Sequence, residues 1–395
     1  MSSPAASRSS VDAELLLLLL RAELSDDDLE RIRALAPEAG WSRVLAYAER
    51  HRVRPALARG VASLPDVVAP SAVAEDLRAA RKAHAIRALA MSADLVGVLD
   101  LLRASGIDAL AYKGPVLAMT AYGALTARDF VDLDILVRPS EASAAGRVLL
   151  GAGFDGPRIR PPGEEHRLLR STHERQYRQP GGALVELHWA LAPRYFGIGL
   201  VTSELLSRSV EVSIGGRFAP TLSAEDTVVA MAVDSGKELF PSLRVAVDMA
   251  ALFDRHPDLG WDAVVATAER AGAGRMLRVL LGLTRDLQAA SLPKRIEASV
   301  DADPVAVELA AGFGDRMFGS PGGRGRLPAL DGRHLSLREG RSRRVRYLAR
   351  LVMTPTAEDI DIVSLPLGTG ALYLPIRAAR MVARYLFPGS ATRTL

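Results

Sequence analysis

Apolar residues alternate with acids between positions 131 and 137, in the run Val-Asp-Leu-Asp-Ile-Leu-Val. Successive side chains of a β-strand point to opposite faces, so this alternation predicts a strand whose apolar face packs into a core. Asp132 and Asp134 then project together from the other face. Two adjacent carboxylates repel each other and are costly to desolvate, so we expect a cation beside them, with a divalent metal as the simplest candidate. The alternative is an edge strand whose two acids face water.

Short apolar runs and turns around this strand predict a small sheet. Residues 107–112 form one strand, and the Lys-Gly-Pro turn at 113–115 opens a helix, where an early proline is compatible with helix entry. The free backbone N–H groups of such a turn can bind an anion. Strands at 172–178 and 183–189 flank a Pro-Gly-Gly turn and predict a hairpin. This order predicts an α+β fold, in which a small mixed sheet with helices on one side is embedded in helical regions at both ends.

A third acid lies on the second strand of the predicted hairpin. Glu186 and His188 share one face of the run Leu-Val-Glu-Leu-His-Trp, on a strand that can lie next to the Asp132/Asp134 strand. Strand register decides whether Glu186 joins the other two acids or remains a surface acid. His188 is a candidate substrate contact or a buried, hydrogen-bonded histidine.

The chain divides into regions by its periodicity and its turn residues. Within them we expect a helix over residues 41–54 that Pro55 ends, a polar loop over 155–170 and one strand over 211–218. The predicted regions are a disordered tail (1–10), an N-terminal helical region without chemistry (11–104), a sheet-containing core (105–218), a second helical region (219–318), a Gly-rich linker (319–332) and a basic C-terminal region (333–395).

Composition narrows the class of protein. A chain of 395 residues is expected to form two or three packed units. It contains no cysteine, which excludes disulfides, thiolate zinc sites and cysteine nucleophiles and suits a cytoplasmic location. The net charge is +4, but from residue 333 onward there are eleven arginines and four acids. This basic end is suited to phosphate, acidic lipid or an acidic partner.

No segment predicts a membrane span. The six leucines at 15–20 are too few to cross a bilayer and lack a basic stretch directly before them, so a buried helix is expected rather than a signal peptide. Residues 376–387 predict an amphipathic helix with Arg377, Arg380 and Arg384 on one side. That helix either makes a peripheral membrane contact or is an ordinary helix with a charged outer face.

The motifs occur in a distinctive order. Lys113-Gly114, then Arg128, then Asp132-x-Asp134, and finally Val-Glu-Leu-His-Trp resemble the nucleotidyltransferase superfamily of DNA polymerase beta. More narrowly, they resemble an uncharacterised bacterial nucleotidyltransferase family in which a Lys-Gly turn, an R-x(3)-D-x-D-x-L-V strand and an E-L-H-W strand recur. The resemblance covers most of the chain.

The resemblance implies metal-dependent nucleotidyl transfer. An acceptor oxygen attacks the α-phosphate of a nucleoside triphosphate, pyrophosphate leaves, and two Mg²⁺ ions held by carboxylates stabilise the attacking and leaving oxygens. Three acids suit Mg²⁺, which prefers oxygen ligands. The implied residues are Asp132, Asp134 and Glu186 as catalytic residues and metal ligands, Lys113, Gly114, Arg128 and Lys237 as contacts of the nucleoside triphosphate, and His188 and Asp248 as substrate contacts.

Several of these residues have structural alternatives. Arg128 either contacts phosphate or forms an ion pair. Lys237 and Asp248 lie on helices after the sheet, where superfamily members close over the nucleotide, but a solvated lysine and a paired acid fit the sequence equally well. Two features depart from the superfamily: Pro115 follows Gly114 where Gly or Ser usually grips phosphate, and the third carboxylate is Glu186 rather than Asp.

Two classes of function follow. The first is an enzyme that moves a nucleoside monophosphate, with AMP from ATP as the leading candidate, onto a hydroxyl or phosphate of a small-molecule or peptide acceptor. The second is a catalytically poor nucleotide-binding or regulatory protein of the same fold, for which Pro115 is the best argument. Within the enzyme class, RNA such as tRNA is an alternative acceptor. The basic C-terminal region favours RNA, whereas an aromatic content of 5% and the lack of a stacking motif disfavour it.

Overall fold

The computed structural model describes residues 4–64, 69–319 and 331–355, together with Ile360 and Pro375. The chain begins with helices α1 to α5, which span Pro4–Leu20, Asp26–Leu35, Trp41–Arg50, Arg54–Ala62 and Ser71–Ala104. Helix α1 starts within the stretch predicted as a tail, at a proline that suits the first helical turn. Its leucines at 15, 16, 19 and 20 are buried, as expected for a helix in a core.

The predicted helix over residues 41–54 is divided in two. Helix α3 already ends at Arg50, and Pro55 lies in the first turn of α4 instead of ending a helix. Proline lacks the N–H that the first turn leaves unpaired in any case, so it initiates a helix as readily as it ends one.

The middle of the chain forms the sheet and the helices connected to it. In chain order these are β1 (Ala109–Ala111), α6 (Gly114–Tyr122), β2 (Asp132–Val137), α7 (Ala142–Gly151), α8 (Pro162–Ser171), β3 (Glu174–Arg178), β4 (Leu184–His188), α9 (Thr202–Ser207), β5 (Val210–Ile214) and β6 (Arg217–Thr221). Short 3₁₀ turns cover Leu125–Ala127 and Arg194–Phe196.

Among the described residues the strands form one six-stranded mixed sheet in the order β3-β4-β2-β1-β6-β5. Strand β2 runs antiparallel to β1 and parallel to β4. The predicted α+β class is therefore confirmed. Helices cover both faces of the sheet rather than one. On one face Leu133 and Ile135 pack with α5 and α7, and on the other Leu110 and Leu136 join the larger helical core.

Two local predictions near the sheet are wrong. The polar stretch 155–170 contains most of α8, which begins at Pro162 and turns Leu168 into the protein. The single strand predicted over 211–218 is a hairpin, β5 and β6, joined by Gly215 and Gly216, both of which have positive φ. A two-residue turn with positive φ at both positions matches the twist of a hairpin.

After the sheet the chain returns to helix. Helices α10 to α17 span Ala224–Lys237, Arg244–Arg255, Trp261–Ala271, Gly274–Gln288, Lys294–Asp301, Pro304–Phe318, Gly332–Ser336 and Gly340–Met353. They share one hydrophobic core with α1 to α4. Within the described residues, no helix combines the length and apolar composition needed to cross a bilayer. Most of the predicted linker and the predicted amphipathic helix at 376–387 lie outside the described residues.

Candidate active site

Strands β2 and β4 bring the predicted carboxylates onto one face of the sheet. Asp134 and Glu186 are direct partners across the parallel pair, so their side chains project in the same direction. Asp132 lies two residues earlier on β2 and projects from that face as well. Leu133 and Ile135 between and beyond them are completely buried on the opposite face. The alternation seen in the sequence therefore separates a packing face from an acidic face.

Asp134 is the buried centre of this face. It is 3% exposed, and its Oδ1 accepts hydrogen bonds from Nζ of Lys113 at 2.9 Å and from Nε2 of His188 at 3.2 Å. Burial acts to raise the pKa of Asp134, but the Lys113 ammonium and the His188 hydrogen bond outweigh it and hold that pKa well below its usual range. Asp134 is therefore a carboxylate, and its Oδ2 has no hydrogen bond within the described residues.

Asp132 has a different environment. It is partly buried, and within the described residues it makes neither a side-chain hydrogen bond nor an ion pair. Burial and the neighbouring carboxylates of Asp134 and Glu186 raise its pKa, and Lys113 and Arg244 only partly offset them. The acidic face thus carries one aspartate that Lys113 neutralises and one that forms no ion pair with any described residue.

Lys113 connects this face to a residue that the sequence did not single out. Its Nζ lies 3.2 Å from Oδ2 of Asp234, on α10, and Asp234 also pairs with Nζ of Lys237 at 3.0 Å. Burial opposes the charge of Lys113, but Asp134 and Asp234 raise its pKa well above its usual value. The signal for Asp234 was available, because it lies three residues before Lys237, on the same face of one helix.

The Lys-Gly turn is built around a glycine with φ of +53°. A Cβ atom on Gly114 would lie 3.2 Å from the carbonyl oxygen of Asp132, in a backbone conformation that side chains disfavour. Pro115 follows in the first turn of α6 and is buried. The glycine thus allows the start of α6 to lie directly against the acidic strand.

Arg128 and Asp248 bind each other. From the sequence, Arg128 was predicted to contact phosphate and Asp248 to contact the substrate. Nε of Arg128 donates to Oδ2 of Asp248 at 3.0 Å, and the hydroxyl of Tyr122 donates to Oδ1 at 2.8 Å. Both members of the ion pair are almost completely buried. The pair links the segment before β2 to α11, which is the structural alternative considered for Arg128.

A cavity of about 180 Å³ lies between β2, α10 and α11. Its wall contains both acids and cations: Asp132, Asp134, Asp234, Lys113, Arg128 and Arg244.

Arg244 is a second residue that sequence reasoning missed. The only hydrogen bond of its guanidinium within the described residues goes to the carbonyl oxygen of Asp129, at 3.3 Å, and the guanidinium forms no ion pair there. A partly buried guanidinium without a carboxylate partner is suited to bind an anion.

Glu186, His188 and Lys237 are not among the residues that line this cavity. Glu186 is half-buried and accepts a hydrogen bond from Nε2 of Gln176 at 2.9 Å. His188 is completely buried between Asp134 and Glu174, with its Nδ1 3.3 Å from Oε2 of Glu174. Lys237 pairs with Asp234 and is not among the residues of the cavity wall.

These donors suit a divalent cation. One ligand atom from each of Asp134, Glu186 and His188 lies within 4.8 Å of the others. Asp132 is on the same strand face but outside that group. The free Oδ2 of Asp134 and the unpaired carboxylate of Asp132 offer oxygen ligands, which Mg²⁺ prefers. The residues present therefore fit a magnesium site.

Comparison with known proteins places the chain among nucleotidyltransferases. A family model described as "Uncharacterised nucleotidyltransferase" matches residues 37–288, from α3 through the whole sheet to the end of α13. One solved structure, an antigenic nucleotidyltransferase-like protein from Paracoccidioides brasiliensis, is 16% identical and has a TM-score of 0.33 over 54% of this chain and 93% of that chain. A search of curated proteins gave no match.

Proposed function

The chain belongs to the family of uncharacterised nucleotidyltransferases, and on this basis we propose that it is a Mg²⁺-dependent nucleotidyltransferase. It transfers a nucleoside monophosphate, with AMP from ATP as the leading candidate, onto a hydroxyl or phosphate of a small-molecule or peptide acceptor. The observation that carries the proposal concerns Asp132, which has no ion-pair partner in the described part of the chain and lies beside Asp134 in the wall of a cavity that cationic side chains also line. An acid in this position is best explained by a cation that binds with the substrate.

The carboxylates supply the metal ligands in this proposal. Asp132 and Asp134 would bind Mg²⁺ from β2, and Glu186 would contribute the third carboxylate from β4. When bound, the metal ions polarise the α-phosphate and neutralise charge on the attacking and leaving oxygens. The hydrogen bond from His188 fixes the orientation of Asp134, so that Oδ2 points away from the hydrogen-bonded side of the carboxylate.

The size of the cavity indicates which part of the nucleotide it takes. At about 180 Å³ it is smaller than typical ligand pockets, which span roughly 300–1,000 Å³. It therefore suits the triphosphate, with the nucleoside outside. Arg244 is the best phosphate contact in the wall, because Arg128 is already paired with Asp248. Lys113 can follow the triphosphate if a metal ion takes over its contact with Asp134.

The reaction itself is a substitution at phosphorus. The acceptor oxygen forms a bond to the α-phosphorus, and the bond from that phosphorus to the oxygen bridging to the β-phosphate breaks. Pyrophosphate leaves with the electron pair of the broken bond. The acceptor proton passes to a base, and Glu186 is the candidate because its carboxylate is half-buried and, within the described residues, pairs only with Gln176 and His188.

A second candidate function is nucleotide binding without efficient transfer. Two observations favour it: Lys113 already neutralises Asp134, and Pro115 removes an N–H from the turn that would grip phosphate. In this case the protein binds MgATP but does not release pyrophosphate.

Binding and turnover of ATP separate these possibilities. We expect calorimetry to show Mg²⁺-dependent binding of a non-hydrolysable ATP analogue, and an Asp132→Ala/Asp134→Ala variant to lose it. Asp262→Asn, which changes a highly exposed acid on α12, is the control and should bind as the wild type does. Equal binding by the double variant and the wild type would refute the metal site. Binding without pyrophosphate release, tested with pools of candidate acceptors, would favour the second candidate.

A further inference from the structure

A second group of side chains that could hold a metal ion lies at the start of the β3–β4 hairpin. His173, Glu174 and His188 each offer one ligand atom, and these atoms all lie within 4.8 Å of one another. Oε2 of Glu174 is 3.1 Å from Nε2 of His173 and 3.3 Å from Nδ1 of His188. Strand pairing holds the group together, because Glu174 and His188 are direct partners across the antiparallel pair.

The buried ring of His188 is the observation that points to a ligand. Its side chain is completely buried, and its Nδ1 makes no hydrogen bond within the described residues. Its Nε2 must be the donor to Asp134, because a carboxylate only accepts. The second ring nitrogen, Nδ1, faces Oε2 of Glu174 at 3.3 Å without a hydrogen bond. A cation bound by both atoms would give each of them a partner.

We propose that His173, Glu174 and His188 bind a divalent transition-metal ion of the zinc class. Such ions bind imidazole nitrogen and carboxylate oxygen at about 2.0–2.2 Å, which in a tetrahedral site puts neighbouring ligand atoms roughly 3.3–3.5 Å apart. The observed separations of 3.1 and 3.3 Å are close to this spacing. Two imidazoles select such an ion over Mg²⁺, which takes oxygen ligands. Three protein ligands leave a fourth position for water or substrate.

The proposed site is open to solvent, and a hydrogen bond holds one of its ligands, His188, in place. The side chains of His173 and Glu174 are 15% and 29% exposed, so the site is reached from solvent. Nζ of Lys237 lies 3.5 Å from Nε2 of His173 and 3.0 Å from Oδ1 of Asp234, and it would have to turn away from His173 when the ion binds. The hydrogen bond from His188 to Asp134 orients the ring, as a carboxylate often does for a metal-bound histidine.

This arrangement gives the site a connection to the acidic face. The same imidazole would bind the transition metal through Nδ1 and hold Asp134 through Nε2. An ion bound at the hairpin would therefore hold the His188 ring in place and, through its hydrogen bond, fix the orientation of Asp134. The inference concerns metal binding at the hairpin and does not depend on nucleotidyl transfer.

Titration with Co²⁺ tests the site, because tetrahedral Co²⁺ with nitrogen ligands has characteristic visible absorption. Excess Mg²⁺ is present throughout, so that the carboxylates of β2 are occupied. We expect the wild type to bind one Co²⁺ per chain, and Zn²⁺ to displace it. His173→Gln and Glu174→Gln should each weaken binding at least tenfold. Both side chains are partly exposed, and circular dichroism verifies that the variants are folded.

His166→Gln is the matched control, since His166 is an exposed histidine of α8, and it should bind Co²⁺ as the wild type does. The proposal is overturned if the wild type shows no Co²⁺ absorption in excess Mg²⁺, or if both hairpin variants retain wild-type affinity. The contact between His188 and Glu174 would then be an imidazolium–carboxylate pair only.

Discussion

Lys113 donates a hydrogen bond of 2.9 Å to Oδ1 of Asp134, so a largely buried lysine, with 15% of its side chain exposed, neutralises the central acid of the site. The same ammonium lies 3.2 Å from Asp234, and it therefore ties β2 to α10. In the proposed nucleotidyl transfer, metal ions and a triphosphate would compete for these groups. Under that proposal, Lys113 stabilises the acids until substrate arrives and then follows the triphosphate.

Replacing Lys113 with an uncharged residue should destabilise the metal-free protein. In Lys113→Met, Asp134 and Asp234 lose a buried partner, and breaking such a pair costs about 3–5 kcal/mol. We expect the free energy of unfolding in urea to fall by that order in the presence of a chelator and to recover in part with Mg²⁺. Lys82→Met, at an exposed position of α5, should change the free energy of unfolding by less than about 0.5 kcal/mol. A Lys113→Met protein that is as stable as the wild type and insensitive to Mg²⁺ would contradict this role.

Arg244 should contribute to nucleotide binding rather than to metal binding. A hydrogen bond to a charged group contributes about 1.5–3 kcal/mol, so Arg244→Met should weaken binding of the ATP analogue by roughly tenfold to a hundredfold. Binding of Mn²⁺, measured as a paramagnetic substitute for Mg²⁺, should change little in the absence of nucleotide. Arg346→Met, at an exposed position of α17, is the control. If Arg244→Met binds the analogue as tightly as the wild type, Arg244 makes no phosphate contact.

His51 should make stability depend on pH. It is buried, with Nε2 2.9 Å from the carbonyl oxygen of Met317, and Nδ1 accepts a hydrogen bond from the N–H of Leu243 at 3.3 Å. These partners fit the neutral ring, and burial lowers the pKa of His51 to about 4. Since an unfolded histidine has a pKa of about 6.5, the unfolded state binds more protons between pH 6.5 and 4. The stabilisation is complete above pH 6.5 and is lost as the pH falls toward 4, by at most about 1.4 kcal/mol per pH unit.

Urea unfolding at several pH values measures this dependence. His51→Gln should be less stable at pH 7.5 and should show a shallower decline of stability below pH 6.5. His166→Gln should follow the wild type at every pH, because that side chain is exposed. A His51→Gln protein with the wild-type slope would show that another group causes the acid sensitivity.

The acidic face could be predicted from the sequence because it depends on residues that are close together in one strand. Alternation with a period of two puts Asp132 and Asp134 on one side of β2, and the register with β4 then aligns Asp134 with Glu186. The pairing of Arg128 with Asp248 was not predictable, because 120 residues separate the two and only the packing of α11 brings them together. For the same reason no role for Arg244 in the cavity wall could be predicted from the sequence.

Prediction from the sequence was limited in a similar way for the helices around the sheet. Proline at residue 55 has two opposite effects on a helix, and only the packing of α4 selects the initiating one. The ligand group on the hairpin depends on the cross-strand partnership of Glu174 with His188, which follows from a register that the sequence alone left open. The predicted region boundaries and the assigned roles of the site residues remain predictions.

A crystal structure with Mg²⁺ and a non-hydrolysable ATP analogue tests the central claim most directly. We predict metal ions at about 2.0–2.1 Å from carboxylate oxygens of Asp132 and Asp134, with the triphosphate in the cavity and Lys113 displaced from Asp134. A nucleotide bound elsewhere, or bound in the cavity while Lys113 stays on Asp134 and no metal contacts Asp132, would contradict the account.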